Sequence, residues 1–197
     1  MIAAIEDAIL AALQTVNDGR LGYKFATLGT YGGEFDDDIN QVIRRLPGVW
    51  VVYAGGGKPV PYGTSKTRWK MPATFATLVG ARNVRGEPAT RRGVSNAGGV
   101  VEVGVYQMLE DTRRALLNQD FGLQIARFEP GATRTLYTKK LNDLAVSVFA
   151  KEWHTAFLID PEPGDPNAPD WLTLKMDYYL QPDDGVADAS DIVTLNP

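Results

Sequence analysis

Apolar residues near the start of the chain recur every three or four positions. Ile2, Ile5, Ile9, Leu13 and Val16 fall on one stripe, which predicts an amphipathic helix over residues 2–17 with Glu6 and Asp7 in its first turn and Gly19 just past its end. A short strand is expected over 23–30, broken by Gly32-Gly33. Asp36, Asp37 and Asp38 then precede Ile39, Val42, Ile43 and Leu46, a second helical stripe that Pro47-Gly48 stops. Residues 49–54 are all apolar and bounded by turn residues, the pattern of an interior strand. Over 72–82 the alternation Ala73, Phe75, Thr77, Val79, Ala81 predicts another strand. The Gly/Pro/Ser/Thr-rich residues between these two form a long loop or splayed hairpin over 55–70, and NVRGEPATRRGVSNAG (83–98) is a second long loop.

After Gly98-Gly99 a third helix is expected, with Val101, Val105, Met108, Thr112 and Ala115 or Leu116 on one face and Glu110 reaching Arg114 one turn on. It ends near Asn118. Residues 123–128 and 136–139 are short strand candidates. In LAVSVFAKEWHTAFLI (144–159), Leu144, Val146 and Val148 have one parity and Trp153, Phe157 and Ile159 the other. Holding both sets in one core requires a bulge near residues 150–152, which turns His154 away from the core. WLTLKMDYYL (171–180) alternates with Leu172, Leu174, Met176, Tyr178 and Leu180 on one face, and the polar residues 181–197 are expected to be a loose tail. Strands in hairpin-like succession flanked by helices predict one α+β domain over 1–180, with a mostly antiparallel sheet and helices packed on one face.

Charge changes this picture more than overall composition does. The 197 residues are 44% hydrophobic and 22% charged, as in an ordinary folded domain, but the net charge of -4 hides a separation along the chain. Between Lys58 and Arg92 there are eight basic residues against Glu87 alone. From Asp160 to Asp191 there are nine acids against Lys175 alone. Such segregation points to surfaces that meet opposite charge.

Candidate chemistry is sparse. No cysteine is present and His154 is the single histidine, which excludes disulfides, thiolate zinc sites and histidine-rich metal sites. No secretory signal or membrane span is expected, because Glu6 and Asp7 interrupt the N-terminal apolar stretch and no run approaches about 18 apolar residues. AGGGKPVPYGTSKT (54–67) follows a strand as a phosphate loop would, but Lys58 precedes Pro59, the glycine spacing is wrong and no helix follows. The nucleotide reading fails. Asp36, Asp37 and Asp38 suit a helix N-terminus better than a calcium loop. His154 has Glu152 two residues away but no nucleophile at a recognisable spacing, so no enzymatic activity and no cofactor are expected.

The loops remain. Lys58, Lys66, Arg68, Arg85, Arg91 and Arg92 are the candidate contacts between subunits, because a basic loop and an acidic edge can meet head to tail between identical subunits, and such a contact closes into a ring where the rotation permits. Tyr62 and Trp69 among the cations leave nucleic-acid binding as an alternative.

The amphipathic N-terminal helix, DDDINQVIRRLPGVWVVYAGG, GVYQMLEDTRRALLNQDFGL, VSVFAKEWHTAFLI and the final WLTLKMDYY together resemble, in order and spacing, the Mu-like phage and prophage tail-terminator proteins over most of residues 1–180. The resemblance implies a structural virion protein of the tail, assembled in the cytoplasm of the bacterial host. It implies a ring, expected to be a hexamer, that caps the completed tail tube, meets head or neck proteins and leaves a pore through which DNA passes without sequence-specific binding. It carries no catalytic residue. Another head-tail joining or neck protein of the same virion is the neighbouring alternative.

Overall fold

The computed structural model describes residues 1–19, 21–33, 44–64, 66–83, 87–96, 98–136, 145–160, 173–179 and 185–194. The predicted second helix, except for its last residues, and Arg85 lie outside them. The chain divides into two compact units, Met1–Asp160 and Pro161–Pro197.

The first unit opens with helix α1 (Ile2–Gly19), which buries Ile5, Ile9, Leu13 and Asn17. The i, i+4 spacing predicted the stripe, and Asn17 extends it with a polar anchor. Its side-chain oxygen accepts the Phe25 N–H at 2.7 Å and fixes the chain as it leaves the helix. Glu6 lies beyond the first turn and does not serve the helix dipole. Its carboxylate instead accepts the backbone N–H of Tyr53 at 3.1 Å, beside an irregularity between Tyr53 and Gly55 in the strand that α1 covers.

Strands β1 (Thr27–Thr30), β2 (Gly48–Gly56), β3 (Val60–Tyr62), β4 (Arg68–Arg82), β7 (Glu129–Thr135) and β8 (Val146–Ile159) form one sheet in the order β1-β2-β4-β8-β7, with β3 pairing the start of β4. Every pairing is antiparallel except β1 with β2. Helix α2 (Glu87–Arg92) and strand β5 (Val94–Asn96) lie within the predicted second loop, β5 pairs with β6 (Gly99–Glu102) where the third helix was expected to begin, and helix α3 (Val105–Leu116) follows. The expected third helix therefore starts five residues late, at Val105. Val94 in β5 and Val100 and Val101 in β6 are β-branched and suit strands, and Gly104 lies so close to the backbone of Arg91, Arg92 and Gly93 that a Cβ there would overlap it.

One face of the sheet carries the main core. Val49 and Val51 of β2, Phe75 and Val79 of β4 and Trp153 of β8 are buried with Ile5, Ile9 and Leu13 of α1 and Val105, Met108 and Leu116 of α3. At about 1.5–3 kcal/mol for each fully buried large side chain, this layer holds the unit together. The predicted bulge in the long strand is absent. β4 and β8 pair without interruption from Arg82↔Val146 to Trp69↔Ile159, and both parities are buried because both faces of the sheet are covered. Trp153 and Phe157 face the helices, whereas Val148 lies near Gly80 and Trp50 on the opposite face, where Trp50 and Leu78 form a second small cluster with Tyr31, Leu46 and Ala150.

The second unit contains β9 (Thr173–Tyr178) paired antiparallel with β10 (Ala189–Thr194). Residues 189–194 are thus a strand where the sequence predicted a loose tail. Among the described residues, no helix is long and apolar enough to cross a membrane.

Candidate functional site

The β4–β8 ladder runs past the core. Met71 and Phe157 still pack against the main cluster, but the ladder continues through Lys70↔Leu158 to Trp69↔Ile159, and β3 adds a third strand there through Val60↔Lys70, Pro61↔Trp69 and Tyr62↔Arg68. Residues directly opposite one another in a ladder share a face. Pro61, Trp69 and Ile159 therefore form one face of this tongue, and Val60, Tyr62, Arg68, Lys70 and Leu158 the other. Trp69 and Ile159 are each 40% exposed. A wholly apolar cross-strand trio left in solvent at the end of a sheet is a candidate contact surface.

The other face is charged. Arg68 grips Asp160 through two hydrogen bonds, Nε to Oδ1 at 2.5 Å and Nη2 to Oδ2 at 3.1 Å. That donation holds the Asp160 carboxyl below the usual aspartate range and raises the arginine correspondingly. Lys58 sits exposed between β2 and β3, and Lys66 sits exposed between β3 and β4 with a left-handed backbone (φ 55). No acid occurs among residues 55–70.

Arg91 and Arg92 lie elsewhere. α2 is tied by the Thr90 hydroxyl to the carbonyls of Asn83 and Ala145 at 3.3 and 3.4 Å, next to Arg82↔Val146 at the far end of the long ladder. Fourteen residues of strand separate Arg68 from Arg82, about 45 Å at a rise of about 3.3 Å per residue. The candidate cations therefore form two groups at opposite ends of the sheet, Lys58, Lys66 and Arg68 at one and Arg91 and Arg92 at the other. Arg92 is exposed and Arg91 is half-buried.

His154 faces away from the helices as expected and is exposed. Its Nδ1 lies 3.1 Å from the Thr74 hydroxyl, and it borders an open cleft of about 220 Å³ shared with Lys70, Arg127 and Glu129. Glu152 turns to Arg134 at 3.5 Å instead, so the sheet does not assemble the pair considered from sequence. Among the described residues, no group of three or more His, Asp or Glu side chains converges as a metal site. On the helix side, Asp111 is buried and accepts from the Tyr23 hydroxyl and the Gln107 amide, both at 2.9 Å. Burial, with the Asp111 charge adding to it, raises the Tyr23 pKa far above its ordinary value.

The apolar half of the tongue was not recognised from sequence, although the alternation Trp69, Met71, Ala73, Phe75 extends the β4 pattern back to Trp69 and was the available signal. A model of the family described as Bacteriophage Mu, Gp37 matches residues 1–158. No curated protein matches the chain.

Proposed function

From the premise that this chain belongs to the bacteriophage Mu Gp37 family, we propose that it is a structural protein of the phage tail, a tail terminator whose copies close into a ring, expected to be a hexamer, on the end of the tail tube. The observation that supports a contact role is the tongue: an apolar face of Pro61, Trp69 and Ile159 backed by Arg68 and Lys70, with exposed Lys58 and Lys66 in the adjoining loops. Apolar area supplies affinity and the cations supply orientation and encounter rate. Contact groups at two ends of one long sheet suit a heterologous arrangement, in which one end of a subunit meets a different surface of the next and the series closes into a ring.

In this reading the ring lies between the tube and the head or neck proteins, DNA passes through its pore, and neither cofactor nor catalysis is involved. The test is polymerisation of purified tube protein with and without this chain, with tube length measured by electron microscopy. A terminator bound to tube ends shortens the length distribution as its concentration rises. Unchanged lengths, with no label at tube ends, sink the terminator reading and favour a head-tail joining or neck role. Native mass measurement of the same preparation gives the subunit number.

A further inference from the structure

The second unit carries an amphipathic hairpin. In the β9–β10 register Leu174 faces Val193, Met176 faces Asp191 and Tyr178 faces Ala189, so these six residues share one face, apolar except for Asp191. Leu174, Tyr178 and Val193 are 42%, 47% and 41% exposed. The opposite face is polar apart from exposed Ile192 and is internally tied, with Lys175 3.0 Å from Asp177 and the Asp177 carboxyl held below its usual range by a Ser190 hydrogen bond and by that lysine. A two-stranded hairpin is marginally stable in water and gains stability when its apolar face is covered. The hairpin lies outside residues 1–158, the part matched by the family, so its role is not inherited from that match.

Charge indicates what covers it. Residues 161–197 carry eight acids and the one base Lys175, whereas residues 55–70 carry three cations besides Arg68 and no acid. The tongue thus offers an exposed apolar face with Arg68 and Lys70 on its reverse side and Lys58 and Lys66 in its loops, and the hairpin a largely apolar face that carries Asp191 within an acidic unit. Resting on the reading of the tongue as a contact between copies, we propose that the hairpin is a capture arm. Its Leu174, Met176, Tyr178 and Val193 face seats on the Pro61, Trp69 and Ile159 face of a second copy of this chain. Each subunit then gives one arm and receives another, and the acidic arm neutralises the cationic tongue of its neighbour.

The chain has no cysteine, which makes the test direct. Two full-length single-cysteine variants, Pro61→Cys on the tongue and Ala189→Cys on the apolar face of the hairpin, spare the large apolar anchors. They are mixed, one of them tagged, and oxidised without any tube protein. The expected result is a mixed disulfide dimer in several-fold excess over either homodimer. That excess is lost when Ile192→Cys, on the opposite hairpin face, replaces Ala189→Cys, and it falls between about 0.05 and 1 M salt as the Debye length shrinks to about 3 Å. Leu174→Asp with Tyr178→Asp in the cysteine-bearing chain lowers it further. No excess of the mixed dimer, or an excess indifferent to which hairpin face carries the thiol, overturns the arm. Failure to cap tubes with the mixed dimer intact instead sinks the terminator reading alone.

Discussion

Replacing Trp69 by alanine separates assembly from folding. Of the roughly 250 Å² a tryptophan can bury, the 40% still exposed leaves about 100 Å² for a neighbouring molecule to cover. At about 25 cal/mol per Å² this is about 2.5 kcal/mol for each contact made, or about a 60-fold weaker association where every 1.4 kcal/mol is tenfold. Trp69 lies between Pro61 and Ile159 across the strands and is only part covered, so the subunit itself loses less than a fully buried Trp→Ala change would cost, about 3–5 kcal/mol. Sedimentation velocity over a concentration series reads the association, and urea unfolding of the dilute protein reads the fold. The expected variant unfolds with an unchanged m-value at a modestly lower midpoint and associates tens of times more weakly. Association equal to wild type with the fold intact refutes the assignment of the Trp69 face to a contact.

Other substitutions test the body of the protein. Phe75→Ala removes a fully buried ring that lies 5.3 Å from Tyr53 and 6.1 Å from Phe128, and urea unfolding should show a loss of about 3–5 kcal/mol; a loss below about 1 kcal/mol would mean that the aromatic stack is not the centre of the core. Gly104→Ala forces a methyl into the backbone of Arg91, Arg92 and Gly93 and should cost about 1–3 kcal/mol, whereas Gly29→Ala, with open space around its Cβ, should leave Tm nearly unchanged. Tyr23 has its pKa raised by burial and by Asp111 above the ordinary 10.0, so the folded state holds that proton where the unfolded chain releases it. Its contribution is complete below pH 10 and is lost as pH rises further. Stability should fall above pH 10 in the wild type, and the slope should flatten in Tyr23→Phe; equal slopes would assign the loss to other groups.

The elements legible in the sequence were those whose pattern comes from a single buried face. α1 is set by Ile5, Ile9 and Leu13, and the core of β4 by Phe75, Thr77, Val79 and Ala81, so periodicity alone located them. β8 defeated the same reasoning because the pattern was referred to one core. Its change of parity between Val148 and Trp153 records a change in which face is covered, and only the second cluster of Trp50 and Leu78 reveals this. The late start of α3 depends on the approach of Gly104 to the backbone of residues 91–93, a tertiary contact with no local signature. β10 was hidden by the acids around Ile192 and Val193, although a β-branched run is strand-favouring. The candidate site was half legible. Its charges stand out along the chain, but the apolar trio exists only through the pairing of Pro61, Trp69 and Ile159 across three strands.

That pairing makes the charge on the tongue adjustable in both directions. Arg68 is bound to Asp160, whereas among the described residues Lys58, Lys66 and Lys70 have no carboxylate within ion-pair distance. Asp160→Asn releases the guanidinium and makes the tongue more positive by one charge. Arg68→Gln removes the guanidinium and leaves Asp160 to make the tongue more negative. Both groups are solvent-exposed and screened, so neither change should move Tm appreciably. If the tongue meets an acidic surface, the two variants must shift association in opposite directions, tighter for Asp160→Asn and weaker for Arg68→Gln, and the difference must shrink as salt is added. The Arg68→Asp, Asp160→Arg double variant keeps the net charge and should return association toward wild type. Shifts in the same direction would show that the pair matters for the shape of the tongue, and the electrostatic half of the argument would fail while the apolar half stood.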